Sequence, residues 1–160
     1  MSKAELIYKC KNILGEGITY SSSEDDLFWL DILNESKLFQ LNISSNKQYI
    51  FELPEIVTAT SIKSKNEIIL TSNNGINLFN LRTKNYEKRI GIEDNVSYTR
   101  SNDGASDALG RFWFGTMQNN FDKYGNDISI KQNIGKLYRV DLDNKISIVR
   151  EGIGIPNTFV

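Results

Sequence analysis

Glu16 stands between Gly15 and Gly17, Asn157 follows Pro156, and Arg100 and Asn102 lead into Asp103-Gly104. Composition narrows what these residues can do. His is absent and Cys10 is the sole thiol, which excludes a Ser-His-Asp triad, a Cys-His pair, a zinc site of Cys and His, and an internal disulfide. Any metal must be held by oxygen, and carboxylates and amide carbonyls suit hard cations such as Ca²⁺, Mg²⁺ or Mn²⁺. The flanking glycines let the backbone near Glu16 approach closely and aim its carboxylate, and the Pro156 ring fixes the chain just before Asn157. Plain turn chemistry accounts for the same residues: a solvated turn suits Glu16 and Asn157, and Asn-Asp-Gly is a turn signal by itself. On residue type alone both readings stand.

Elements that could position these residues follow from hydrophobic patterning. Long helical periodicity is missing, while short apolar or alternating runs recur between polar turns, as in an all-β chain. Leu27-Phe28-Trp29-Leu30, Ile68-Ile69-Leu70-Thr71 and Arg111-Phe112-Trp113-Phe114 begin 41 and 43 residues apart. Each is followed by a second strand, at 37–42, 76–81 and 136–141, and then by a closing strand at 49–53, around 86–90, and at 146–150. Four short strands in a unit of roughly 40 to 50 residues is the signature of a β-propeller blade. The expected fold is therefore all-β, with about three four-stranded blades over residues 1–160; an evenly spaced β-sandwich is the competing architecture. Residues 118–135, rich in Asn, Asp and Lys, form a surface insertion, a lid or a plain loop, whose Asp122, Gly125 and Asp127 miss the spacing of an EF-hand.

The two ends extend this expectation. Leu6 to Cys10 reads as a lone strand ahead of the first blade, with Cys10 a small buried hydrophobe, and Ile155 to Val160 begin a fourth blade. Propellers close at about four to eight blades, so the sequence looks truncated, with apolar blade faces open to association. Trp29 and Trp113, at equivalent points of two blades, are expected to pack between blades. With 19 basic and 20 acidic side chains, no broad basic surface for nucleic acid is expected. No apolar run approaches the ~18 residues of a membrane span, no signal-peptide core opens the chain, and the protein reads as cytoplasmic.

At the level of motifs the chain resembles the senescence marker protein/regucalcin/gluconolactonase family of six-bladed propellers. Leu14-Gly15-Glu16-Gly17 is similar to its opening L-G-E-G, and Leu27 to Ile32 resembles its L-Y-W-V-D-I strand. The block Arg100-Ser101-Asn102-Asp103-Gly104 followed by Gly110 to Met117 resembles R-x-N-D-G…G-R-F-W-x-G-T-M. Gly135 to Asp141 and Gly152 to Asn157 are similar to G-x-L-Y-R-x-D and G-x-x-x-P-N. The resemblance implies one divalent cation in the central channel, most simply Ca²⁺, with Mg²⁺, Mn²⁺ or Zn²⁺ as alternatives. Glu16 and Asn157 inherit ligand roles, and Arg100 and Asn102 inherit the binding of a sugar lactone's hydroxyls. The family's third ligand and general base, an Asp, is expected beyond Val160. Gln118-Asn119-Asn120 replace a substrate-binding glutamate of some members, and Thr158 replaces the usual Gly after the ligand Asn.

The implied activity is metal-dependent hydrolysis of a sugar lactone, with this chain of little or no activity alone. Lactone hydrolysis passes through an oxyanion that a cation can stabilise, and a carboxylate can take the proton of the attacking water, so no His is required. The alternatives are a non-catalytic binding or assembly module, a half-propeller that pairs with a second copy or a complementary half, or an inactive remnant.

Overall fold

The computed structural model describes residues 3–33, 35–73, 75–122 and 126–159. Its twelve strands are β1 Gly15–Ser21, β2 Asp26–Asp31, β3 Lys37–Asn42, β4 Lys47–Glu52, β5 Val57–Ser64, β6 Glu67–Ser72, β7 Gly75–Asn80, β8 Tyr86–Gly91, β9 Thr99–Ser106, β10 Phe112–Gln118, β11 Gly135–Val140 and β12 Ile146–Ile153. They form three four-stranded antiparallel sheets, β1–β4, β5–β8 and β9–β12, each in simple sequence order. Residues 27, 68 and 111 each fall within one residue of the start of the second strand of a sheet, as the repeat predicts.

Apolar side chains on facing sheets make two cores. Phe28, Leu30 and Leu38 of the first sheet pack with Val57, Ile68, Leu70 and Phe79 of the second. Ala59 and Ile76 of the second pack with Phe112, Phe114, Tyr138 and Val140 of the third. Burying such side chains stabilises by about 1.5–3 kcal/mol each, and their alternation along β2, β6 and β10 fixes strand register. The first strands, β1, β5 and β9, lie against one another. Their seam is polar: Thr60 Oγ1 donates to Gly17 O at 2.9 Å, Thr58 Oγ1 to Ser101 Oγ at 2.7 Å, and Ser61 bonds Ser106 through their hydroxyls. The last strands, β4, β8 and β12, are outer edges with mostly exposed side chains.

Each inner strand also carries a register irregularity. In β1 the pairing passes from Glu16↔Leu30 to Thr19↔Phe28, so Gly17 and Ile18 face the single residue Trp29, and Gly17 takes φ +62°. In β5 Thr58 is the extra residue, and in β9 it is Asn102, between Ser101↔Thr116 and Asp103↔Gly115. Bulges bend a strand and re-aim a side chain.

Three expectations, and the turn reading of residues 100–104, need correction. Residues 3–12 form no strand; Leu6 and Ile7 are 80% and 63% exposed, and the segment instead lays Tyr8 against Trp29, with ring centroids 5.6 Å apart. A charge-interspersed segment gains little from burial when no sheet edge receives it. Cys10 is consequently exposed rather than buried. Residues 100–104 are not a turn but the heart of β9. There Gly104 serves close approach, since a Cβ would lie 2.5 Å from Trp113 O and 2.7 Å from Phe114 Cβ. Finally, neither tryptophan packs between these sheets. Trp29 stacks on Phe39 of its own sheet, and Trp113 has the guanidiniums of Arg111 and Arg139 at 5.6 and 5.7 Å from its ring centroid. Among the described residues no other sheet packs on the faces that carry them. The described residues contain no helix long and apolar enough to cross a membrane.

Candidate functional site

Glu16 is delivered by the entry into β1. Asp31, buried at the end of β2, accepts the backbone N–H groups of Ile13 and Leu14 at 2.9–3.2 Å, which fixes the chain two residues before Glu16. The bulge at Gly17 then turns the strand, and the Glu16 side chain emerges exposed, without a hydrogen bond among the described residues. Across the seam, the chain after β12 returns over β10, where Pro156 fills the space a side chain at Gly115 would need: a Cβ there would meet Pro156 Cβ at 2.3 Å.

Glu16, Asp103 and Asn157 line one cavity of about 320 Å³, walled further by Thr19, Thr60 and Ser106. Asp103 holds this corner together: its Oδ1 accepts from Gly104 N at 2.8 Å and its Oδ2 from Thr158 N at 2.7 Å. Asn157 Oδ1 also accepts from Thr158 N, at 3.0 Å. Thr158 adopts φ +60°, a left-handed conformation costly for a β-branched residue. Glycine would adopt it freely.

Arg100 and Asn102 do not line this cavity but reach it by a relay. Asn102 Nδ2 donates to Pro156 O at 2.7 Å, and Asn102 Oδ1 accepts from Arg100 Nη1 at 3.0 Å. Arg100, 8% exposed, also donates through Nε to Asn120 Oδ1 at 2.7 Å and through Nη1 to Ser101 O at 2.8 Å, with Phe121 beneath its guanidinium. Burial lowers the Arg100 pKa to about 10, so it stays charged at neutral pH. The segment after β10 thus closes over Arg100; Gly125, the glycine of the rejected EF-hand spacing, lies outside the described residues.

Two residues change standing. Asp103, equally open to a turn role from sequence, lies in the cavity wall and tethers Thr158. Asp107, the carboxylate that follows β9, is fully engaged. Its Oδ2 accepts from Trp113 Nε1 at 2.9 Å and pairs with Arg111 at 2.6 Å, and its Oδ1 accepts two backbone N–H groups. The Trp113 indole and then the Arg111 contacts outweigh desolvation and hold this carboxyl well below the usual range, so it is a poor proton acceptor at neutral pH. A larger cleft of about 490 Å³ between the second and third sheets, lined by Ile69, Ile76 and Phe112, includes none of Glu16, Arg100, Asn102 or Asn157.

The cavity's donor set is all oxygen, with one carboxylate that has no partner among the described residues, and this chemistry fits a hard divalent cation. Among the described residues no three of His, Cys, Asp and Glu gather as a metal cluster, so Glu16, Asn157 and Asp103 can supply only part of a coordination shell.

Comparison with known proteins is decisive at this point: the sequence profile of the SMP-30/Gluconolactonase/LRE-like region matches residues 14–160. The chain belongs to this family. Within the SMP-30/gluconolactonase family it is 27% identical over 146 residues to the 6-deoxy-6-sulfogluconolactonase of Pseudomonas putida, covering 91% of this chain and 47% of that protein. It is 24% identical over 142 residues to the L-arabinolactonase of Azospirillum brasilense, covering 88% and 44%. The crystal structure of regucalcin from Agrobacterium tumefaciens, a calcium-binding protein, superposes with a TM-score of 0.79 at 26% identity, over 92% of this chain and 46% of that one. The chain spans about half the length of the curated relatives it matches.

Proposed function

We propose that this chain carries the Glu16 half of a metal-dependent sugar-lactone hydrolase and has little or no activity alone. The observation that carries this reading is the meeting of Glu16, Asp103 and Asn157 in one cavity, in a chain of the gluconolactonase family. Glu16, through its free carboxylate, and Asn157, through Oδ1, would hold the cation, with Asp103 at its edge; Ca²⁺ suits the oxygen donors best, and Mg²⁺, Mn²⁺ or Zn²⁺ are the alternatives. Bound there, the cation would polarise the lactone carbonyl as a Lewis acid.

The chain's own residues bind and orient. Asn102, fixed between Arg100 and the Pro156 carbonyl, holds a sugar hydroxyl beside the cavity, and the Thr158–Asp103 tether keeps Asn157 in place. Taking a proton from water needs a free carboxylate of ordinary or raised pKa. Asp107 is held low, and both oxygens of Asp103 already accept N–H groups. The base is therefore assigned outside these residues, and the uncovered faces bearing Trp29 and Trp113 are where further blades, from a complementary half or a second copy, would dock.

Purified chain assayed with a sugar lactone and each of the four cations is expected to give turnover at least ~10²-fold below a complete homologue, as loss of a positioned base predicts. Cation binding, followed by calorimetry, should weaken at least ~10-fold in Glu16→Gln. Robust turnover indifferent to chelators, or cation binding indifferent to Glu16→Gln, would overturn the assignment.

A further inference from the structure

Arg100 is a buried cation with no counter-ion among the described residues. None of the ion pairs among the described residues involves it. Its acceptors, Asn120 Oδ1, Ser101 O and Asn102 Oδ1, are all neutral. The acidic side chain that shares a small cavity wall with it is Glu93, and that carboxylate is already used by three hydroxyls: Thr99 Oγ1 at 2.6 Å, Tyr138 OH at 2.7 Å and Thr116 Oγ1 at 3.4 Å. Holding a guanidinium away from water without an opposite charge is expensive. Nε and Nη1 are occupied, whereas Nη2 donates to none of the described residues and is not among the sealed, unpartnered side-chain atoms. The free edge of a guanidinium is a built receptor for an oxyanion.

Its position says which end of a substrate it meets. Arg100 and Asp103 pair with Met117 and Gly115, two residues apart on β10, so with the extra residue Asn102 between them they are roughly 7 Å apart at strand rise, and Arg100 is joined to the cavity by Asn102 and Pro156. A sugar lactone with its carbonyl beside Glu16 and Asn157 would bring its far substituent, rather than its carbonyl, toward Arg100. We propose, resting on the lactone reading above, that the substrate carries an anionic oxygen group, a carboxylate or a sulfonate, at the end remote from the lactone carbonyl, and that Arg100 pairs with it. Asn120 is the residue that sets this preference, because an acidic side chain in its place would neutralise Arg100 from within.

The test is binding to the full chain at low salt, followed by calorimetry and ligand-observed NMR, of glucaro-1,4-lactone, which bears a free carboxylate, against neutral galactono-1,4-lactone. The expected result is at least about tenfold tighter binding of the anionic lactone, the scale of one hydrogen bond to a charged group. Arg100→Lys should keep much of that ratio and Arg100→Met should bring it near one. Asn120→Glu, which leaves Arg100 in place and paired, should also collapse it. Equal or tighter binding of the neutral lactone, or a ratio unmoved by Asn120→Glu and Arg100→Met, overturns the charge preference while leaving the lactone reading intact. Failure of the folded chain to bind either lactone overturns both.

Discussion

Asp103 and Thr158 are 55 positions apart in sequence, yet the Thr158 N–H donates to Asp103 Oδ2 at 2.7 Å. This bond ties the segment after β12 to the bulged inner strand β9, and it holds Thr158 at φ +60°. Thr158→Gly is expected to stabilise the protein by about 1 kcal/mol, the left-handed strain relieved less the added chain entropy of glycine. Asp103→Ala is expected to destabilise by about 1 kcal/mol and to reduce amide exchange protection at Thr158, where Asn157 Oδ1 remains as an acceptor. Urea unfolding and hydrogen exchange check both; a destabilised Thr158→Gly would mean that the threonine side chain contributes more than its backbone costs.

The Asp107 carboxyl has a folded pKa depressed from 3.8, so its contribution to stability is present above about pH 4 and is lost as pH falls below that. Wild type should therefore lose stability more steeply between about pH 4 and pH 2 than Asp107→Asn. The Asn variant should be the less stable of the two at pH 7, because the Arg111 guanidinium loses its anion. Urea midpoints measured across this range decide it, and parallel acid limbs would refute it.

Tyr138 donates to Glu93 Oε1, and burial followed by the Glu93 carboxylate raises its phenol pKa above 10.0. A raised acid pKa means stability held below about pH 10 and lost as pH rises beyond it. Tyr138→Phe should cost about 1–2 kcal/mol at pH 7 by leaving Glu93 short of a donor, and should flatten this alkaline loss. Thermal scans from pH 8 to 11 would expose an unchanged slope.

Gly104 leaves no room for a methyl group against Trp113 O and Phe114 Cβ. Gly104→Ala should destabilise by roughly 1–3 kcal/mol through overpacking and shift the backbone at Asp103. Chemical denaturation measures the loss, and an unchanged midpoint would show that β9 and β10 can part without penalty.

The second and third strands of each sheet were legible because Phe28, Leu30, Ile68, Leu70, Phe112 and Phe114 alternate toward two cores. The inner strands were not. β1, β5 and β9 are rich in small and polar residues such as Gly, Thr and Ser, whose hydroxyls bond between sheets, and their bulges break the period of two on which strand reading depends. Glu16 and Asn157 could be singled out by their Gly and Pro neighbours, and Asn102 by its motif. The tether between Asp103 and Thr158, and the neutral environment of Arg100, arise from contacts between distant segments that local pattern does not encode.

The outer strands have a consequence for behaviour at high concentration. β4, β8 and β12 are unpaired rims, and a flat apolar rim would recruit strands of other molecules into fibrils. Charges interrupt these three: Lys47 and Glu52 bound β4, Glu87-Lys88-Arg89 fill β8, and Arg150-Glu151 precede Gly152, which turns away at φ +73°. An incoming strand would have to desolvate those charges in register, so these rims resist templated growth.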